Sequence, residues 1–383
     1  PLERMRDGAE PREVWRLFCE RWHLFAGTAS GFWLRETLGT VFRVEEPPSA
    51  SNADELFDRI SADLRTERLH PRSVFSAFGI EILATTDDPL DDLDVHRALR
   101  EDPSFSGRVV PTFRPDAYID PRSAGWSERM DLLGVSDYRG YITALESQRQ
   151  RFIEHGAVSA DHGILHAETA DIDEPEAVAL FDRARRGAMA PGDAELFCAH
   201  MLMECARMSV EDGLVMTVHA GVMRNHHTAT ARDFGPDSGH DIPVATSFTG
   251  NLRPLLERFG TEPGFHLILF ALDEPVLSRE IAPLAGFYPS VFVGAPWWFL
   301  DAPDAITRIR SATAETVGFY RGSGFIDDTR AFMSIGARHA MARRLDSAYL
   351  ARLVVEGRID LGEAEHIAVD LVGAIPRLSL IHI

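Results

Sequence analysis

Seven short apolar runs, each halted by polar residues and followed by a stretch with helical spacing, constrain this 383-residue chain more than any other feature. They are IEILATTDD (80–88), RVVPTFRPD (108–116), GAVSADHG (156–163, the weakest), VMTVHAG (215–221), FHLILFALDE (265–274), VFVGAPWW (291–298) and GFIDDTR (324–330). The stronger runs are continuously apolar rather than alternating, so a strand built from them needs cover on both faces. Between them, DELFDRISADL repeats Leu56, Ile60 and Leu64 at four-residue spacing behind a Ser51 or Asn52 cap. YITALESQRQRFIEHG closes at Gly156, and DAITRIRSATAETVGFY and RHAMARRLDSAYLARLVVEG behave alike. Strand followed by helix, repeated in this way, predicts a parallel α/β fold.

A (β/α)8 TIM-type barrel needs eight strands and gathers its chemistry at their C-terminal ends. Asp87, Asp88, Arg114, Asp116, Asp161, His162, His219, Asp273, Trp297 and Asp328 all fall at such ends. Seven visible strands predict a barrel lacking its first strand, with residues 76–383 carrying strands 2–8 and residues 1–75 forming a mainly helical N-terminal elaboration whose clearest loop is 43–53. The chain opens at Pro1 without Met and ends in the apolar PRLSLIHI, so a fragment is expected. A doubly wound sheet is the alternative, but no strand is followed by a Gly-rich phosphate turn.

A formal charge of −20 argues against nucleic-acid and anionic-membrane partners. An acidic protein that binds an acidic small molecule must then place Arg or Lys locally in its pocket. The three cysteines lack CxxC spacing and no apolar run approaches about 18 residues, which predicts a cytoplasmic protein.

Candidate chemistry lies at the strand ends. In FIDDTRAF, Asp328 and Arg330 are two apart, so on extended chain both face one side. A carboxylate there holds a divalent metal or moves a proton, and a guanidinium steadies an oxyanion; the plainer alternative is a loop-stitching ion pair. In MTVHAGVMRNHH, His219 is an acid–base group or a hydrogen-bonded strand histidine, Arg224 a carboxylate clamp, and His226 and His227 solvated loop residues. Arg114, between Phe113 and Pro115, is an anion binder or an arch for the next loop. Trp297 or Trp298 walls a sugar-sized pocket or belongs to the core. Asp161 suits a ligand hydroxyl, whereas Asp87 and Asp88 suit caps of the next helix. GPDSGHD, with Asp237 and Asp241, reads first as a turn and second as a lid over a polyol. No H-x-H, H-E-x-x-H or Cys cluster completes a metal site, and no serine nucleophile elbow is present.

Taken together, ATTDDPLDDLDVH, VVPTFRPD, ADHG, VHAGVMRNHH, GPDSGHD, GAPWWFLD and FIDDTRAFMSIGARHAMARR resemble the uronate (glucuronate) isomerase family of the amidohydrolase superfamily, in the family's order from about residue 15 to 375. The resemblance implies a (β/α)8 barrel that interconverts a uronate aldose with its ketose, D-glucuronate with D-fructuronate or D-galacturonate with D-tagaturonate, through an enediolate. It implies that Asp328 binds metal and handles the proton, that Arg330 is its cationic partner, and that His219 joins them in catalysis. Arg114, Asp161, Arg224 and Trp297 would bind substrate. It also implies one divalent metal, zinc, in the complete protein, with an incomplete site in this chain: the family's first strand carries an H-x-H pair, and the loop after it a His-Tyr pair, that this chain lacks. A homo-oligomer is compatible with the resemblance. Two other functions fit the same barrel, a metal-dependent hydrolase and a sugar-acid-binding barrel without turnover. Against the hydrolase, the strand ends lack the extra metal-binding Lys and paired His positions.

Overall fold

The computed structural model describes residues 9–328 and 331–381. Its parallel strands are β1 (Ile82–Ala84), β2 (Arg108–Val110), β3 (Ser159–Ile164) and β4 (Val215–Ala220), followed, after an antiparallel hairpin of β5 (Val222–Met223) and β6 (Ile242–Pro243), by β7 (Leu267–Ala271) and β8 (Val291–Val293). β1 pairs with β2, and β3, β4, β7 and β8 pair in that order. Parallel bridges Asp87↔Phe113 and Phe113↔Ala160 carry the pairing from the first two strands to β3, and Val293↔Gly322 carries it past β8. Seven parallel tracks therefore lie side by side in chain order, six at runs named above and the seventh at Gly322, just ahead of GFIDDTR. A doubly wound sheet reverses its strand order at a switch point. Among the described residues this wall has no such reversal, as a (β/α) barrel requires.

The continuous apolar runs have a simple cause. Met216, Val218, Leu267, Leu269, Val291 and Val293 point into the large cluster under the helices. The alternating partners Val215, Ile268 and Phe270 point to the other face, where they meet Ala295 and Trp297. Each fully buried aliphatic side chain contributes about 1.5–3 kcal/mol. Both faces are dry, so neither can be polar except where chemistry intrudes.

Helices Tyr138–Glu154, Pro303–Val317 and Ile335–Val355 follow the expected spacings, with Gly156 (φ 96°) and Gly357 (φ 69°) turning the chain just beyond the first and last. The first strand-end expectation needs correction. The helix after β1, Asp94–Glu101, starts at Leu93, so neither Asp87 nor Asp88 caps it. Asp87 instead accepts hydrogen bonds from Thr85 Oγ1 (2.7 Å) and the Thr112 amide (3.2 Å), and Asp88 accepts from Tyr118 Oη (2.5 Å). Asn52 does sit at the start of helix Ala53–Asp63, but its Oδ1 accepts from the Ser49 amide rather than from the helix.

Ahead of β1 the described chain is helical, with Pro11–Glu20, Ala29–Thr40, Ala53–Asp63 and Pro71–Ala77. Trp22, Leu38, Phe42, Leu56 and Val74 form a separate apolar cluster there, against which Phe332 and Met333 pack. Among the described residues no strand pairing joins the last track to the first; the turn Arg377–Ile381 lies there, Arg377 pairing with Glu81 and Ser379 Oγ donating to the Ser323 carbonyl. All three cysteines are free thiols. No helix among the described residues is long and apolar enough to cross a membrane.

Candidate active site

The parity of β3 and β4 turns Asp161, Thr217 and His219 to the face opposite the helices, with His219 near the C-terminal end of β4. Register places them side by side: Asp161 pairs with Thr217 and Gly163 with His219 across the β3–β4 ladder. Asp161 Oδ1 accepts from His219 Nδ1 at 2.6 Å and from Thr217 Oγ1 at 2.7 Å. Its Oδ2 lies 3.5 Å from Arg114 Nη1. Burial pushes the Asp161 carboxyl up, but His219, Arg114 and Thr217 outweigh burial and hold it well below the usual carboxylate range. An ionised carboxylate only accepts, so His219 Nδ1 must be the donor and Nε2 is the nitrogen left for chemistry. The His219 ring stacks on Phe270 (4.1 Å between centroids) and meets the edge of Trp297 (4.7 Å).

Arg114 stands just past β2 and is held from two sides. Its Nε donates to Asp116 Oδ2 at 2.7 Å, and Asp116 Oδ1 accepts from the Gly163 amide at 2.9 Å. A Cβ on Gly163 would lie 2.4 Å from Arg114 Nη2 and 2.8 Å from Asp116 Oδ2, so any larger residue must push these side chains aside. Burial raises the Asp116 pKa to about 6 against the pull of Arg114, with Asp161 adding to the rise. Arg114 is thus tied to β3 through Asp116 and the Gly163 amide, with Nη1 3.5 Å from Asp161.

Across the site, Trp297 Nε1 donates to Asp328 Oδ2 at 2.7 Å. Trp297 is buried and Asp328 exposed. Arg330 lies outside the described residues.

Arg224 rides on the β5–β6 hairpin. Gly221 makes that hairpin possible: at φ 94°, with Thr246 Oγ1 2.4 Å from where a Cβ would sit, it ends the β4 run as no other residue could. The Arg224 guanidinium lies over the Trp298 ring at 4.4 Å, 2.9 Å from Asp241 Oδ2 and 3.5 Å from Asp237 Oδ1. GPDSGHD is therefore both a turn and the acidic seat of Arg224. His227 starts helix Thr228–Phe234, its Nδ1 accepting from the Thr230 amide, and His226 is exposed.

Among the described residues no three His, Cys, Asp or Glu side chains converge as a metal would require. Asp328 already accepts from Trp297, and Asp161 from His219 and Thr217. The described donor set does not by itself fit a metal centre.

Thr217, Phe270 and Gly163 were not singled out from sequence as site residues, and Asp116 was named only as a strand-end residue without a role. Its pairing was findable, two residues from Arg114 in RPD. Thr217 and Phe270 were not, since each looks like an ordinary member of an apolar strand.

Comparison with known proteins adds an independent line. The family described as glucuronate isomerase matches residues 3–372. The uronate isomerase of Corynebacterium efficiens is 47% identical over 97% of this chain and 81% of its own length. The crystal structure of glucuronate isomerase from Caulobacter crescentus superposes with a TM-score of 0.94 at 46% identity, over 97% of this chain and 79% of that one. Uronate isomerase from Thermotoga maritima superposes with a TM-score of 0.93 at 27% identity, over 98% of this chain and 83% of that one.

Proposed function

The chain belongs to the glucuronate isomerase family and is a hexuronate isomerase, and we propose that it moves the carbonyl of D-glucuronate or D-galacturonate from C1 to C2 with the groups described above. The observation that carries this reading is the meeting of two hydrogen-bonded pairs, Asp161–His219 and Trp297–Asp328, through the His219–Trp297 ring contact at 4.7 Å.

Aldose–ketose isomerisation removes the C2 proton while negative charge builds on O1, returns a proton to C1, and shifts a proton from O2 to O1. Asp328 is the carboxylate for the carbon-bound proton. The Trp297 N–H donates to its Oδ2, which orients the carboxylate. His219 Nε2 relays the proton between the two oxygens: its Nδ1–H is committed to Asp161, so the free nitrogen accepts from one hydroxyl and, once protonated, donates to the other oxygen. Arg114 and Arg330 supply the positive field for the enediolate. Arg224 meets the substrate's own carboxylate, which replaces the longer 3.5 Å contact to Asp237.

We further place the division between helical elaboration and barrel near residue 75, the reaction in the cytoplasm, and zinc as the divalent metal, with Asp328 its one ligand among the described residues. We also propose a homo-oligomer that acts on the hexuronate without nucleic-acid or membrane partners. Incubation of the intact protein with D-glucuronate and D-galacturonate, with the ketose followed by its carbonyl absorption, tests the reading. Saturable binding of both sugars without ketose would overturn it.

A further inference from the structure

Behind Asp328 lies a buried charged cluster that the chemistry above does not use. Arg338, on the first turn of helix Ile335–Val355, is nearly inaccessible. Its Nε donates to Asp301 Oδ2 at 2.8 Å, and Nη2 donates to the same oxygen. Nη1 donates to the main-chain carbonyl of Asp328 at 3.1 Å and lies 2.7 Å from Asp327 Oδ1. The plane of the guanidinium lies against the Trp33 ring, 4.9 Å from its centroid. Asp301 is wholly buried and closes the short turn Trp298–Leu300 that begins at Trp297: the Leu300 amide donates to the Trp297 carbonyl (2.9 Å) and the Asp301 amide to that of Trp298 (3.0 Å).

We propose that Arg338 is a positioning residue that fixes the Trp297–Asp328 pair by gripping both of the chain segments that carry it. One guanidinium edge holds the turn leading from Trp297, and the remaining nitrogen holds the backbone of Asp328 itself. The two segments come from different strand ends and share no strand ladder at these positions, so their separation depends on the clamp. A planar fork with five donors suits this task, whereas a lysine ammonium cannot reach both sides in fixed geometry. Burial makes the arrangement costly to disturb: a charge left unpaired there must find water or pull its neighbours with it. Trp33 adds a wall from the helical segment ahead of β1, which ties that segment to the geometry of the site.

This inference rests on Asp328 being the proton-handling carboxylate, so the test separates the two. The intact protein is compared with Arg338→Lys, Asp301→Asn and Asp328→Asn for melting temperature, kcat and KM, and Arg338→Ala is assayed with and without added guanidinium ion. The clamp predicts that Arg338→Lys and Asp301→Asn lower kcat about tenfold or more while KM moves less than about threefold, because the bound sugar is held while the reacting carboxylate is misplaced. It also predicts that guanidinium restores part of the kcat of Arg338→Ala. If Arg338→Lys does not fold, Asp301→Asn, which keeps shape and volume, carries the same prediction. Full kcat in the folded fraction of these variants, with Asp328→Asn inactive, overturns the clamp and leaves the site reading standing. Near-normal kcat in Asp328→Asn overturns both.

Discussion

The two hydrogen-bonded pairs that face each other across the site are held in different ways. Asp161 and His219 sit on neighbouring strands in continuous register, six residue pairs long, with their backbones locked by the ladder. Trp297 and Asp328 both lie beyond the ends of their tracks, on segments without regular structure, and side chains hold them. The first half is made by the sheet; the second is made by contacts that a single substitution can remove. A parallel ladder sets distances between residues of adjacent strands at no extra cost, while loops must obtain the same order from buried hydrogen bonds.

The largest effect is expected at Arg330, which lies outside the described residues. Arg330→Lys should keep the melting temperature and lower turnover about a hundredfold or more, since lysine keeps charge but loses the planar fork. Near-normal turnover would reduce Arg330 to the ion pair that is its plainer alternative. In the ladder-held half, Asp161→Asn should lower kcat about a hundredfold with little change in fold, because an amide no longer compels His219 to carry its proton on Nδ1. A comparable loss in KM alone would make Asp161 a substrate-hydroxyl partner instead.

Gly163→Ala attacks the cradle between the two. The new Cβ would sit 2.4 Å from Arg114 Nη2, so we expect a loss of about 1–3 kcal/mol in unfolding free energy together with weaker uronate binding. Thermal melts with and without ligand check both; an unchanged melting temperature would show that Arg114 can move aside freely. This sharpens what to expect of Arg114→Met: because the guanidinium pairs with Asp116 and Asp161, it should cost stability as well as ligand affinity.

The smallest effect is a slope with pH. Asp116 is raised from 3.8 to about 6 by burial, so folding favours its protonated form. Its contribution to stability is complete below the unfolded value near 3.8 and is lost as pH rises through about 6. Asp116→Asn should therefore flatten the fall in melting temperature across that window by a few degrees relative to the parent protein. An identical slope in both would mean that Arg114 compensates the buried charge fully.

Much of this molecule was legible without coordinates, and the reasons are particular. The run around Val215–Ala220 announced a covered strand because both its faces are apolar, and His219 stood out because it interrupts that pattern. Arg114 and Asp161 were visible as polar groups at strand ends. The caps assigned to Asp87 and Asp88 failed because a loop of several residues separates them from the helix they were given to. Arg338 was invisible: in ARHAMARR it reads as one more arginine on a helix, and only burial beside Asp301 distinguishes it.

Strand, helix and turn follow from residues a few positions apart, since periodicity, glycine conformation and apolar run length are local properties; the sequence by itself therefore determined the seven parallel tracks, and its motifs pointed to the family. The pairings that make a site join residues 58, 31 and 37 positions apart, Asp161 with His219, Trp297 with Asp328 and Arg338 with Asp301. No local rule encodes which nitrogen meets which oxygen over such separations. That was decided by the tertiary structure, because only the register of neighbouring strands and the packing of a helix behind them bring these groups within hydrogen-bonding distance.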